Sequence, residues 1–225
     1  MTWFRHAARV FRKDVLIERK TGEITATTCF FSALMTIAAS FALQSGPDIG
    51  ARVAPALIWI VTAFSSVLAV AKSWQRERDD SAFDGLLVLP ISRSAILAGK
   101  VASLIVFLAI SQLVTILLVA FLFSIDLSAV GFGVLLITAA ALPGICVTGT
   151  LFGAMTVRTG ARELVLSCVV LPLLLPVLLA AVSATRELFA GAPVASLGDY
   201  FLIMAAFDVA FAAGGLALFG TMIEG

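Results

Sequence analysis

Six apolar stretches constrain this chain more than any other feature. They run approximately from Thr25 to Gln44, Val53 to Ala71, Val101 to Ser124, Gly131 to Thr156, Leu164 to Ser183 and Tyr200 to Met222, and Asp208 is the one charged residue inside any of them. A hydrocarbon core about 30 Å thick is crossed by roughly 20 helical residues. Inside it each backbone amide needs an internal partner, which a helix provides. The fold class is therefore predicted as an all-α integral membrane protein with six transmembrane helices. Composition agrees: of 225 residues 61% are hydrophobic and 13% charged, and the mean hydropathy is +1.10. A chain with no Asn, and with Gln only at positions 44, 75 and 112, could not cover a water-facing surface.

The 24 residues before the first stretch are polar-rich, unlike the short basic start of a secretory signal, so the first stretch is expected to remain in the mature protein. Within them Trp3, Ala7, Phe11 and Val15 recur every four residues, with Phe4 and Ala8 beside them and Arg5, Arg9, Arg12 and Lys13 filling much of the rest. That pattern predicts a basic amphipathic helix over residues 1–24, lying in the headgroup plane. Lys and Arg fall mostly on one side: in this segment, in the link between spans two and three, and at Arg158 and Arg162 between spans four and five. The other side has Arg52 and Arg186. Basic residues mark cytoplasmic segments, so both termini, the 72–100 link and "RTGARE" are expected in the cytoplasm. Residues 184–199 are expected to form the longest outer loop.

Near-balanced charge, 15 basic against 14 acidic residues, gives no basic face for nucleic acid. Cys29, Cys146 and Cys168 form no CxxC and read as small apolar packing residues. His6 stands alone, without a second ligand for a metal. The Gly99-Lys100 pair is not a phosphate loop, because Ser94 stands at the first glycine position and Val101 follows the lysine. Asp208 lies eight residues into the last span, roughly 12 Å deep at 1.5 Å per residue. A carboxylate there needs a partner, water or a proton, so it is a candidate for a polar cavity as well as a bundle-facing residue. Pro143, Pro172 and Pro176 are expected to kink their helices, and Gly149 and Gly153 to admit a close neighbour.

The densest charge follows span two, in "QRERDDSAFDGLLVLPISRS", residues 75–94. Ser81-Ala82-Phe83-Asp84 matches a capping box, Phe83, Leu86 and Leu87 would share one helix face, and Pro90 would stop the helix. Edged by Glu77, Arg78, Asp79, Asp80 and Asp84, such a helix suits a groove on a soluble partner.

Taken with "WFRHAARVFRKDV", "ARVAPALIWIVTAFSSVLA", "LVLPISRSAILAGK" and "LPLLLP", this stretch resembles the CcmB family of haem exporters in cytochrome c maturation, in order and spacing across essentially the whole chain. Ser81 and Asp84 depart from the family's acidic stretch, and Asp208 matches no family role. The resemblance implies an ABC-2-like permease subunit in the bacterial inner membrane, working with a separate ATPase, CcmA, and with the membrane subunits CcmC and CcmD. ATP hydrolysis would release the haem-loaded periplasmic chaperone CcmE, and two copies per complex are compatible with it. No cofactor would be bound by this chain, since haem and ATP belong to partner subunits. The 75–94 stretch would then be a coupling helix, with Arg158 and Arg162 offering a second contact. The rivals are an ABC-2-type permease for a lipid, glycan or drug, a passive membrane scaffold, and a membrane enzyme. The last would need clustered reactive groups, which Asp208 alone does not make.

Overall fold

The computed structural model describes residues 2–43, 47–79, 92–156 and 162–224. Helices account for nearly all of them: α1 Thr2–Thr21, α2 Glu23–Ala42, α3 Pro47–Asp79, α4 Arg93–Leu122, α5 Leu127–Thr156, α6 Arg162–Phe189, a 3-10 turn Val194–Leu197, and α7 Gly198–Glu224. Helices α2 to α7 are each long and apolar enough to cross a membrane. The protein is a multi-pass membrane protein with one helix ahead of its six spans.

Helices α3, α4 and α5 are packed on several sides. α2 lies against α3 and α4 on one flank, α6 and α7 against α5 on the other, and α3 also meets α6. Burial follows this order, with 67% of the α3 span and 61% of the α5 span inside the bundle against 22% for α2 and 17% for α7. Close approach is built into α5. A Cβ on Gly149 would stand 2.7 Å from Val70, and one on Gly153 2.4 Å from the Trp74 ring, so α3 and α5 touch only because both positions lack one.

The buried face of α2 carries Thr28, Ser32, Thr36 and Ser40 at four-residue spacing, while Phe30 and Phe41 point outward. Lipid tails give apolar side chains no reason to face inward, so small hydroxyl residues take the interface and large ones face the bilayer. Ser32 lies 3.0 Å from the Ser65 hydroxyl and 2.9 Å from that of Ser111, joining α2, α3 and α4 at one point. Next to it, the Thr62 hydroxyl donates to Gln112 Oε1.

The connections have identifiable stops. Gly22, at φ 64°, turns α1 into α2 in a single left-handed residue. Asp126 caps α5 by accepting the Ser128 amide at 2.9 Å, and the Ser128 hydroxyl and amide together hold its carboxyl below the usual range. Residues 184–199 are not a long loop. Helix α6 runs on to Phe189 and ends in a Schellman motif: Ala192 N–H donates to Glu187 O, Gly191 N–H donates to Leu188 O, and Gly191 sits at φ 92°. The apolar run ends at Ser183, but the helix stops only where a glycine lets it. Likewise α3 continues past Ala71 to Asp79, and Pro55, Pro143, Pro172 and Pro176 all lie inside helices that continue beyond them.

Candidate functional site: a charged junction of α1, α3 and α4

On α1 the row turned toward the bundle is Val10, Asp14 and Glu18, all buried, whereas Phe4 is exposed. Two carboxylates on an inward row need cations. Other helices supply them from 58 and 86 residues away in sequence, Arg76 for Glu18 and Lys100 for Asp14.

Asp14 and Glu77 enclose one pair. Lys100, on α4, is 1% exposed and places Nζ 2.9 Å from Glu77 Oε1 and 3.6 Å from Asp14 Oδ2. Lys13 binds the same Glu77 oxygen and lies 3.2 Å from Asp14 Oδ1. Two cations and two carboxylates thus share one site and cancel. A lysine can be buried on those terms, because an unpaired charge out of water costs several kcal/mol. The Ser73 hydroxyl, which accepts from Nζ at 3.4 Å, and the face of Trp74, 4.9 Å from Nζ, complete its surroundings, while the Ser103 hydroxyl donates to Asp14 Oδ2 at 3.2 Å. Burial by itself pushes the Lys13 ammonium down, but the carboxylates of Asp14 and Glu77 outweigh it and hold the group above the ordinary lysine range.

A second balanced set lies beside the first. Arg76 meets Glu18 at 3.1 Å and Glu23 at 3.6 Å, and Lys72 meets Glu23 at 2.9 Å. Glu18 also accepts the Thr25 amide at 2.7 Å. That amide is one of the open donors in the first turn of α2, so a carboxylate of α1 caps the helix that follows it. Farther along, Trp3 Nε1 donates to Ser94 Oγ at 2.9 Å, and α1 crosses Gly99, where a Cβ would lie 2.6 Å from Val10 and 2.7 Å from the Ala7 carbonyl.

The junction therefore ties the last turns of α3 and the first turns of α4 to α1, on either side of residues 80–91. Its ion pairs join α1, α3 and α4 at one point.

The CcmB protein family profile matches residues 5–221. The chain belongs to the CcmB family. A relative from Bradyrhizobium diazoefficiens named heme exporter protein B is 27% identical over 205 residues, covering 89% of each chain. Proteins of the same name from Escherichia coli K12 and Shigella flexneri are 31% identical over 96 residues. That segment is 41% of this chain and spans only 42% of those relatives' length.

In this CcmB family member the expected docking residues are divided. Glu77 is not on an exposed edge: it is 3% exposed and bound by Lys13 and Lys100, because α3 extends two turns beyond the apolar run and carries it inward. Arg78 and Asp79 form the end of α3. Asp80, Phe83, Asp84, Leu86, Leu87, the Ser81 cap and the Pro90 stop lie outside the described residues, as does Arg158, while Arg162 opens α6. Asp208 lies against the Gly144 backbone beside Pro143, where a Cβ on Gly144 would come within 2.2 Å of its Oδ1, and it has no ion-pair partner among the described residues. Asp14, Glu18, Lys100 and Ser103 were not singled out as a site from the sequence. The available signal was Asp14 and Glu18 one turn apart in line with Val10, together with a lone Lys100 at the head of an apolar helix.

Proposed function

We propose that this chain is the permease subunit of an ABC-type haem-export complex of cytochrome c maturation, and that it transmits the motion of a separate ATPase, CcmA, to the membrane bundle. CcmC and CcmD are its membrane partners, the haem-loaded chaperone CcmE is what the cycle releases, and haem and ATP are handled by those partners. The subunit sits in the bacterial inner membrane with both termini cytoplasmic. Family membership and the relatives' name, heme exporter protein B, support the transport role.

The observation that carries the coupling role is the charge junction around Lys100. A force applied to residues 80–91 reaches α3 on one side and α4 on the other, and the Glu77, Lys100, Lys13 and Asp14 set makes those helices and α1 respond together. A passive scaffold would have no need of such a rigid entry point. The test is the double substitution Phe83→Asp with Leu87→Asp in the assembled complex. We expect the chain to remain inserted while the ATPase no longer co-purifies; an ATPase that stays bound would defeat the coupling reading.

A further inference from the structure

The two basic residues set apart from the main cluster, Arg52 and Arg186, come together in the fold. They line one cavity of about 490 Å³ with Phe189 and Ala190, at the opposite end of α3 from Glu77. Neither guanidinium has an ion-pair partner among the residues whose side chains are described, and the neighbouring carboxylate of Glu187 accepts the Tyr200 hydroxyl at 2.6 Å.

The same two helices form a second cavity of about 500 Å³, lined only by apolar side chains and running from Ala56 and Val182 to Phe64 and Leu171. Ala56 is one turn from Arg52 and Val182 one turn from Arg186, so the two spaces follow one another along a single antiparallel seam. Trp59 forms its floor with the indole N–H already donated to Thr185 at 2.9 Å, which leaves the groove no free donor. From Arg52 to Phe64 is about 18 Å of helix, close to the roughly 15 Å depth of one leaflet. A leaflet-deep apolar groove with two guanidiniums at its mouth calls for a molecule with an anionic head and one apolar tail that can lie in the groove.

We propose that the α3 and α6 seam is a binding site for an anionic phospholipid, its phosphate between Arg52 and Arg186 and one acyl chain along Trp59. A metalloporphyrin fits less well, because among the described residues no His, Cys, Met or Tyr lines either cavity. This assignment is independent of the ATPase coupling.

The test uses the full chain in phosphatidylcholine vesicles doped with phosphatidylglycerol or phosphatidylcholine brominated on the acyl chains, with quenching of tryptophan fluorescence as the readout. Trp59→Phe identifies the signal. Phosphatidylglycerol is expected to quench with a preference on the order of tenfold. That preference should vanish in Arg52→Gln/Arg186→Gln and persist in Arg52→Lys/Arg186→Lys. Equal quenching by both lipids in the unaltered chain would overturn the proposal, as would a preference kept in the glutamine variant. So would abolition of the preference by inorganic phosphate or stoichiometric haemin, or protection of the groove from both lipids by a second copy cross-linked through Leu179→Cys.

Discussion

Lys100 shows what a single residue does in this protein. It is fully enclosed, and two carboxylates and an aromatic face replace its water. Removing one partner of a buried set leaves the others uncompensated, at a cost of about 3–5 kcal/mol. Lys100→Met should therefore lower the thermal midpoint of the purified chain sharply, and adding Glu77→Leu should restore much of the loss by leaving Lys13 opposite Asp14. A double variant no better than the single one would show that the set does not act as a unit. The pH dependence follows from Lys13, whose folded pKa is raised. Its stabilisation is fully present below the ordinary value of 10.5 and is lost as pH rises through the folded pKa. The difference in melting temperature between the unaltered chain and Lys13→Met should thus be constant near neutrality and shrink only in strong alkali.

At the scale of elements, α1 depends on a groove in α4. Gly99 makes room for Val10 and the Ala7 backbone, and a carbonyl cannot move aside as a flexible side chain can. Gly99→Ala should lift α1, cost about 1–3 kcal/mol by overpacking, and raise amide hydrogen exchange across residues 2–21 while the spans stay protected. Unchanged protection of α1 would refute the packing described here. The helix itself was readable in the repeat of Trp3, Ala7, Phe11 and Val15. Its inward row was not, because Asp14 and Glu18 look like surface residues until their partners on other helices are known. Helix ends depart from the ends of the apolar runs for a related reason. Hydropathy reports where lipid begins, whereas the end of α6 is set by Gly191 and α3 keeps its helix through charged residues paired to α1.

For the whole molecule, the proposed topology has six spans with both termini on one side, and the distribution of basic residues is what argues for that side being the cytoplasm. Reporter domains fused at either end should both be cytoplasmic, and one inserted at Gly191 should be exported. A cytoplasmic Gly191 would invert the assignment and move the Arg52 and Arg186 cavity to the other leaflet. The bundle is asymmetric in a way that suits a subunit of a larger complex. α2 and α7 expose most of their surface, and α7 presents Leu202, Ile203 and Val209 outward, while α3, α4 and α5 hold the core.

The number of spans and the helix ahead of them are legible in the residues alone, because lipid demands long uninterrupted apolar runs, and the family is legible in the order and spacing of its stretches. Tertiary structure decided which charges are buried and with whom. Lys100 reads as a stray cation and Glu77 as part of a solvated loop until α1 lies across α4. Arg52 and Arg186 are 134 positions apart and share a cavity only because α3 and α6 run antiparallel. Charge pairing depends on distance in space, and in a bundle that distance is set by packing rather than by order along the chain.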